Sequence, residues 1–112
     1  MNPFKRLPEF EREFERLSKK YRSLVFDLED FEDILRKNPT GFGKNFVIMH
    51  NTPALKILKA RVACESLRNR NIRIVYAYHN DTFEFMYIEI YFKGEKPNED
   101  KSRVAKYIEK LK

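Results

Sequence analysis

The chain of 112 residues has a single cysteine, Cys64, and no tryptophan. One thiol cannot close an internal disulfide, so the fold has to stand on its core, and a reducing compartment is expected. Glycine (three) and proline (five) are scarce, which excludes collagen-like and low-complexity chains. No apolar run approaches the roughly 18 residues of a membrane span. Met1–Arg6 leads into no apolar signal segment, so a soluble, cytoplasmic protein without membrane contact is expected. Histidine is sparse too. His50, His79 and Cys64 lack zinc-ligand spacing and there is no glycine-rich phosphate loop, so neither a metal nor a cofactor is expected. The histidines could serve as acid and base in RNA cleavage, but both fall in expected loops or strand ends, where solvated histidines are the commoner case.

What is abundant is aromatic and charged. Ten Phe and six Tyr argue against disorder and can supply much of one modest core. The length suits a single domain over residues 1–112. Lys and Arg number 23 against 17 Asp and Glu, for +6, and the excess is uneven. Residues 1–37 balance at zero. Residues 56–73 carry Lys56, Lys59, Arg61, Arg68, Arg70 and Arg73 against Glu65 alone, for +5. Residues 74–92 stand at −3, and residues 93–112 at +3. Two basic segments that could meet in space suit a polyanion, RNA or DNA foremost, or an acidic protein; the plain alternative is a solvated basic surface.

Apolar residues at Phe10, Phe14, Leu17, Tyr21, Leu24, Leu28, Phe31 and Leu35 alternate spacings of four and three, an amphipathic helical stripe that Val25, Phe26 and Ile34 widen. An unbroken helix of about 28 residues would be about 42 Å long, beyond the span of so small a domain. A break at Tyr21-Arg22-Ser23, with Ser23 capping a second helix from Leu24, makes an antiparallel helical hairpin; an unbroken coiled-coil arm is the alternative. Residues 38–54 read as a long connection with a short strand at Phe46–Met49. Three strands follow at Leu55–Cys64, Ile72–His79 and Phe83–Phe92, the last two joined by the turn His79-Asn80-Asp81-Thr82. Strict alternation puts Ile57, Lys59 and Arg61 on one face of the first. In the third it sets Met86, Ile88, Ile90 and Phe92 against Phe85, Tyr87, Glu89 and Tyr91. Glu65–Asn71 reads as a basic loop, and a final helix begins at Asn98. The fold class is therefore α+β: an N-terminal antiparallel helical hairpin packed on a small antiparallel β-sheet, with a C-terminal helix.

Lys59 and Arg61 project from the same side of their strand. Arg73 sits between Ile72 and Ile74, and a guanidinium among apolar neighbours needs a partner, either Glu89 or Glu84 on the next strand or an anionic ligand. Tyr91 and Lys93 end the third strand, with Lys96 close behind. Cations and a tyrosine on one sheet face suit both stabilisation of a phosphorane-like transition state and stacking of a splayed base.

The runs Lys59-Ala60-Arg61-Val62, Ile72-Arg73-Ile74-Val75-Tyr76 and Ile88-Glu89-Ile90-Tyr91-Phe92-Lys93-Gly94-Glu95-Lys96 resemble the RelE/ParE toxin superfamily, and within it RelE-like toxins of type II toxin–antitoxin modules. Phe14–Leu24 is similar to the family's first helix and its break. The resemblance spans nearly the whole chain through short, degenerate motifs. It implies a RelE-like fold and a metal-independent, ribosome-dependent mRNA endonuclease, in which the 2′-hydroxyl attacks the adjacent phosphate. The implied partners are mRNA on the ribosome and a cognate acidic antitoxin. Carried over by position, the catalytic set is Arg73 at the scissile phosphate, Lys59 and Arg61 as base or clamp, and Lys93 or Lys96 near the leaving oxygen. Tyr91 is the implied stacking residue, and Lys56, Arg68 and Arg70 are further RNA contacts. Relatives usually begin with a strand, whereas Met1-Asn2-Pro3-Phe4 is short and proline-interrupted. Arg61 stands where a lysine base is frequent, and a guanidinium is a poor base at neutral pH. Two other functions stay open: a ParE-like toxin acting on DNA gyrase without cutting nucleic acid, and a catalytically decayed RelE-fold protein that binds RNA or a partner.

Overall fold

The structure, a computed structural model, describes residues 2–68 and 70–112. Its elements follow the order β1 (Phe4–Arg6), α1 (Pro8–Lys20), α2 (Leu24–Lys37), β2 (Phe46–Asn51), β3 (Leu55–Cys64), β4 (Arg70–His79), β5 (Glu84–Phe92) and α3 (Lys101–Lys110), with 3₁₀ turns at Gly43–Asn45 and Glu65–Leu67. This is an α+β fold. Its five strands lie in the order β1-β5-β4-β3-β2.

The helical stripe is cut where the turn residues allow it. Pro8 opens α1, Glu9 and Glu11 lie in its first turn and Lys19 and Lys20 in its last, all favourable to the helix dipole. Phe10, Phe14, Leu17 and Tyr21 of the first half, and Leu24, Leu28, Phe31 and Leu35 of α2, are buried against one face of the sheet. Val25, Phe26 and Ile34, which widen the stripe in sequence, stay substantially exposed. Ser23 stands at the start of α2 but does not cap it. Its hydroxyl instead donates to Asp27 and accepts from the Ser66 amide at 2.8 Å, tying the helix start to the end of β3.

Several expectations are corrected. The sheet is mixed rather than antiparallel, because Phe4–Arg6 forms a strand that runs parallel to β5, with Phe4 opposite Phe85. Proline at position 3 is no obstacle there, since a first residue beside a strand needs no ladder donor, and its carbonyl accepts from the Phe85 amide. β2 extends to Asn51, and β4 begins at Arg70, taking in residues expected to be loop; Asn69 of that loop lies outside the described residues. The last helix starts at Lys101, because Asp100 and not Asn98 is the cap: its carboxylate accepts from the Arg103 amide at 3.1 Å.

α3 lies on the opposite face from α1 and α2. Val104 and Tyr107 pack on Leu55, Ile57, Val75, Ala77 and Ile88. They cover one end of that face, and the other end carries the basic residues.

Candidate functional site

The decisive local feature is a bulge in β5. Tyr76 pairs with Tyr87, but the next pair is Val75 with Glu89, so Ile88 is left without a partner. The extra residue reverses the alternation. Phe85, Tyr87 and Ile90 all pack into the helix-side core, whereas Met86 and Ile88 pack under α3. The alternation read from sequence therefore holds through Ile88 and fails after it: Met86 and Ile88 stay together on the α3 side, while Ile90 and Phe92 leave it. Glu89 and Tyr91 fall on the same face as Lys59, Arg61 and Arg73. The backbone disturbed at the bulge is satisfied from outside the sheet. Arg103 Nη1 donates to the Ile88 carbonyl at 2.9 Å, Glu13 accepts from the Ile90 amide at 3.3 Å, and the two side chains pair with each other at 2.8 Å.

The result is two adjacent rows on one face. In the first, Arg61 of β3 lies directly opposite Arg73 of β4, which lies opposite Tyr91 of β5. In the second, Val47, Lys59, Val75 and Glu89 follow one another across β2 to β5. Like charges directly opposed across a ladder are destabilising. Among the described residues no carboxylate pairs with either guanidinium; Arg73 donates only to the Asn71 carbonyl at 3.3 Å, and Arg61 is exposed. The two carboxylates that could have neutralised Arg73 are engaged elsewhere, Glu84 with Lys5 at 2.8 Å and Glu89 with Lys96.

The segment after β5 folds back over this face. Glu89, fully buried, accepts from Lys96 and from the Asp100 amide at 2.7 Å. Lys59 donates to Glu99 at 2.9 Å. Burial works against the charge on Glu99, but the bonds from Lys59 and from its own backbone, with the attraction of Lys59 and Lys101, hold its carboxyl below the usual range. On the outer side Glu95 accepts from Lys20 at 2.6 Å and Arg16 at 3.2 Å. The Tyr91 ring is only 4% exposed, with the Lys96 ammonium 5.7 Å from its centre. Burial, followed by Glu99 and Glu89, pushes its hydroxyl up to about 12. A base could stack on Tyr91 only after Lys96 moves.

The remaining candidates scatter. Lys93 is exposed beyond the strand end. Alternation sends Lys56 to the helix side, where its ammonium meets the Thr52 carbonyl, and Arg70 to the same side, over the Phe92 ring. Arg68 is exposed in a left-handed turn residue, φ 55°. His79 bonds Tyr107 at the end covered by α3 and does not share a row with the arginines. No group of three potential metal ligands exists among the described residues. Glu99, Glu13 and Arg103 are the participants that sequence reading missed; Glu99 stands 40 residues from Lys59 and Glu13 stands 90 from Arg103, separations at which a local pattern carries no signal.

Beyond the start of β2, where Phe46 pairs with Ala60, the last residues of β3 border a groove of about 610 Å³, lined by Asp27, Asp30, Ile34, Phe42 and Arg61 among others. Its acidic rim makes it a poor place for a phosphate. Comparison with protein-family models, curated proteins and solved structures finds no match in any of the three.

Chemically, the face offers two planar guanidiniums able to grip one phosphate and to stabilise charge developing on it. It offers no free proton acceptor comparable to a neutral histidine.

Proposed function

We propose that the chain is a RelE-like toxin of a type II toxin–antitoxin module that engages mRNA on the ribosome, with Arg73 and Arg61 holding the scissile phosphate. The observation that carries this reading is the opposed Arg61–Arg73 pair, left without a carboxylate on an open part of the sheet. An anion between them would relieve their repulsion. The parallel strand at Phe4–Arg6 adds support, since it supplies the initial strand usual in the family the sequence resembles. Cleavage would proceed without metal: the 2′-hydroxyl gives its proton to water and attacks the adjacent phosphate, the P–O5′ bond breaks, and O5′ takes a proton from water, leaving a 2′,3′-cyclic phosphate and a 5′-hydroxyl. The arginines would lower the energy of the pentavalent state rather than move the proton. A cognate antitoxin with an acidic segment would neutralise the same face.

Arg73→Ala should abolish growth arrest on induction and abolish mRNA cleavage on ribosomes. Its melting temperature should stay near wild type, because the side chain makes one long bond to a carbonyl. Undiminished toxicity of that variant would overturn the assignment. Parallel assays of RNA integrity and DNA breaks separate this reading from a gyrase-directed toxin.

One observation favours a second reading, a RelE-fold protein that binds RNA without cutting it. The ammonium groups of Lys59, on the row next to the arginines, and of Lys96, over the Tyr91 ring, are held by Glu99 and Glu89. Expression that is harmless without any antitoxin, together with retained RNA binding, would select it.

A further inference from the structure

The geometry points to Glu99 as a built-in anion of the cationic face, a carboxylate that sits on Lys59 until an RNA phosphate displaces it, so that residues 94–100 act as a strap limiting how tightly the site binds nucleic acid. This inference rests on the reading of the face as an RNA site.

Three observations support it. The Glu99 side chain is only 7% exposed and meets Lys59 at 2.9 Å, on the row next to the arginines, about 7 Å along the strand by strand geometry. The strap is anchored on both sides of Glu99. The next residue, Asp100, donates its amide to buried Glu89, and Lys96 bonds the same carboxylate. Farther out, Glu95 ties the strap to Lys20 and Arg16 of α1. A surface ion pair between two free side chains is weak, but a carboxylate held in place by its own backbone loses little freedom on pairing. Finally, Lys59 is the cation that would bring the count on the open face from two to three, and while Glu99 sits on it the carboxylate offsets its charge and repels an incoming phosphate. Phosphate arriving between the arginines therefore competes with Glu99 for it.

The test is binding of the full chain to a fluorescein-labelled single-stranded RNA oligonucleotide, followed by anisotropy over a range of salt concentrations. Glu99→Gln keeps the side-chain shape and removes the charge. It should bind several-fold tighter than wild type, with the slope of log K against log salt steeper by about 0.7, the increment for one further phosphate contact on a single strand. Glu99→Asp, one methylene shorter, should gain less, and adding Arg73→Ala to Glu99→Gln should remove the gain. Unchanged or weaker binding by Glu99→Gln overturns the proposal. So does a Glu99→Gln chain that melts well below wild type, since the pair would then be a structural staple. The underlying site fails separately: in that case Arg73→Ala and Arg61→Ala leave wild-type binding as it is. If they weaken it while Glu99→Gln changes nothing, only the strap inference falls.

Discussion

At the scale of single residues, the polar chemistry of the second sheet face is set by which carboxylate reaches which cation. Glu89 is the one buried charged residue among the described residues, and it is fully committed, to Lys96 and to the Asp100 amide. Truncating it as Glu89→Ala would strand a backbone donor and leave the Lys96 ammonium unpartnered. The Lys96 ammonium is exposed enough to be taken up by water, so the expected loss is about 1–2 kcal/mol, chiefly the cost of the unsatisfied amide, and urea unfolding measures it. That Lys59 and Arg61 share a side was legible from alternation within β3, whereas Arg73 joins them through the register that sets it opposite Arg61. Their partners were not legible. Glu99 stands 40 positions from Lys59, and nothing local distinguishes it from the other carboxylates of the C-terminal segment.

At the scale of elements, the β5 bulge and its clamp matter most. Past the end of β1 the outer edge of β5 has no strand beside it, and Glu13 of α1 with Arg103 of α3 closes it through backbone groups on either side of Glu89. Arg103→Ala removes the bond of α3 to the Ile88 carbonyl and frees Glu13, which holds the Ile90 amide. The amide of Ile90 should then exchange with solvent at least tenfold faster while amides of β3 and β4 keep their protection, a comparison open to hydrogen exchange read by NMR. The strap has its own signature in pH. Lys20 and Arg16 hold the Glu95 carboxyl below its usual value, the Ser102 hydroxyl and the Arg103 amide do so for Asp100, and Glu99 is lowered despite its burial. Each of these groups binds a proton less readily folded than unfolded. Their contribution is therefore complete above about pH 5, beyond the ordinary carboxylate range, and declines as the pH falls through the lower folded values. Amide resonances of residues 94–100 should shift or broaden in acid before those of the central strands; coincident changes would show that the strap is no separate unit.

At the scale of the whole molecule, two layers of unequal weight hold the sheet. The face under α1 and α2 carries most of the core, built on fully buried Phe10, Leu17, Leu35, Tyr76 and Tyr87, while α3 covers only part of the other. Leu17→Ala should cost about 3 kcal/mol through lost contacts and the cavity left behind, measured as a lower denaturation midpoint with an unchanged slope, and should not alter RNA affinity of the fraction still folded. Charge is not divided so cleanly: Arg61 borders the same groove as Asp27 and Asp30 of α2, while its guanidinium and that of Arg73, opposite each other on the sheet, are left without a carboxylate partner among the described residues. Any nucleic acid bound through those guanidiniums should be released by salt: binding should fall steeply between about 50 and 200 mM, and Arg61→Ala should flatten that dependence by about one phosphate's worth.

Composition and periodicity by themselves determined the α+β class, the two-helix stripe with its break, the span of β3 and the shared side of Lys59 and Arg61, because each follows from residue types and their spacing along the chain. Only the tertiary structure decided the parallel first strand, the side on which Glu89 and Tyr91 project, and the capture of two lysines by carboxylates. A three-residue strand is stable only where a neighbour offers it an edge. A bulge exists only where Arg103 and Glu13 arrive to satisfy the backbone it disturbs, and an ion pair forms only between groups that folding brings within reach.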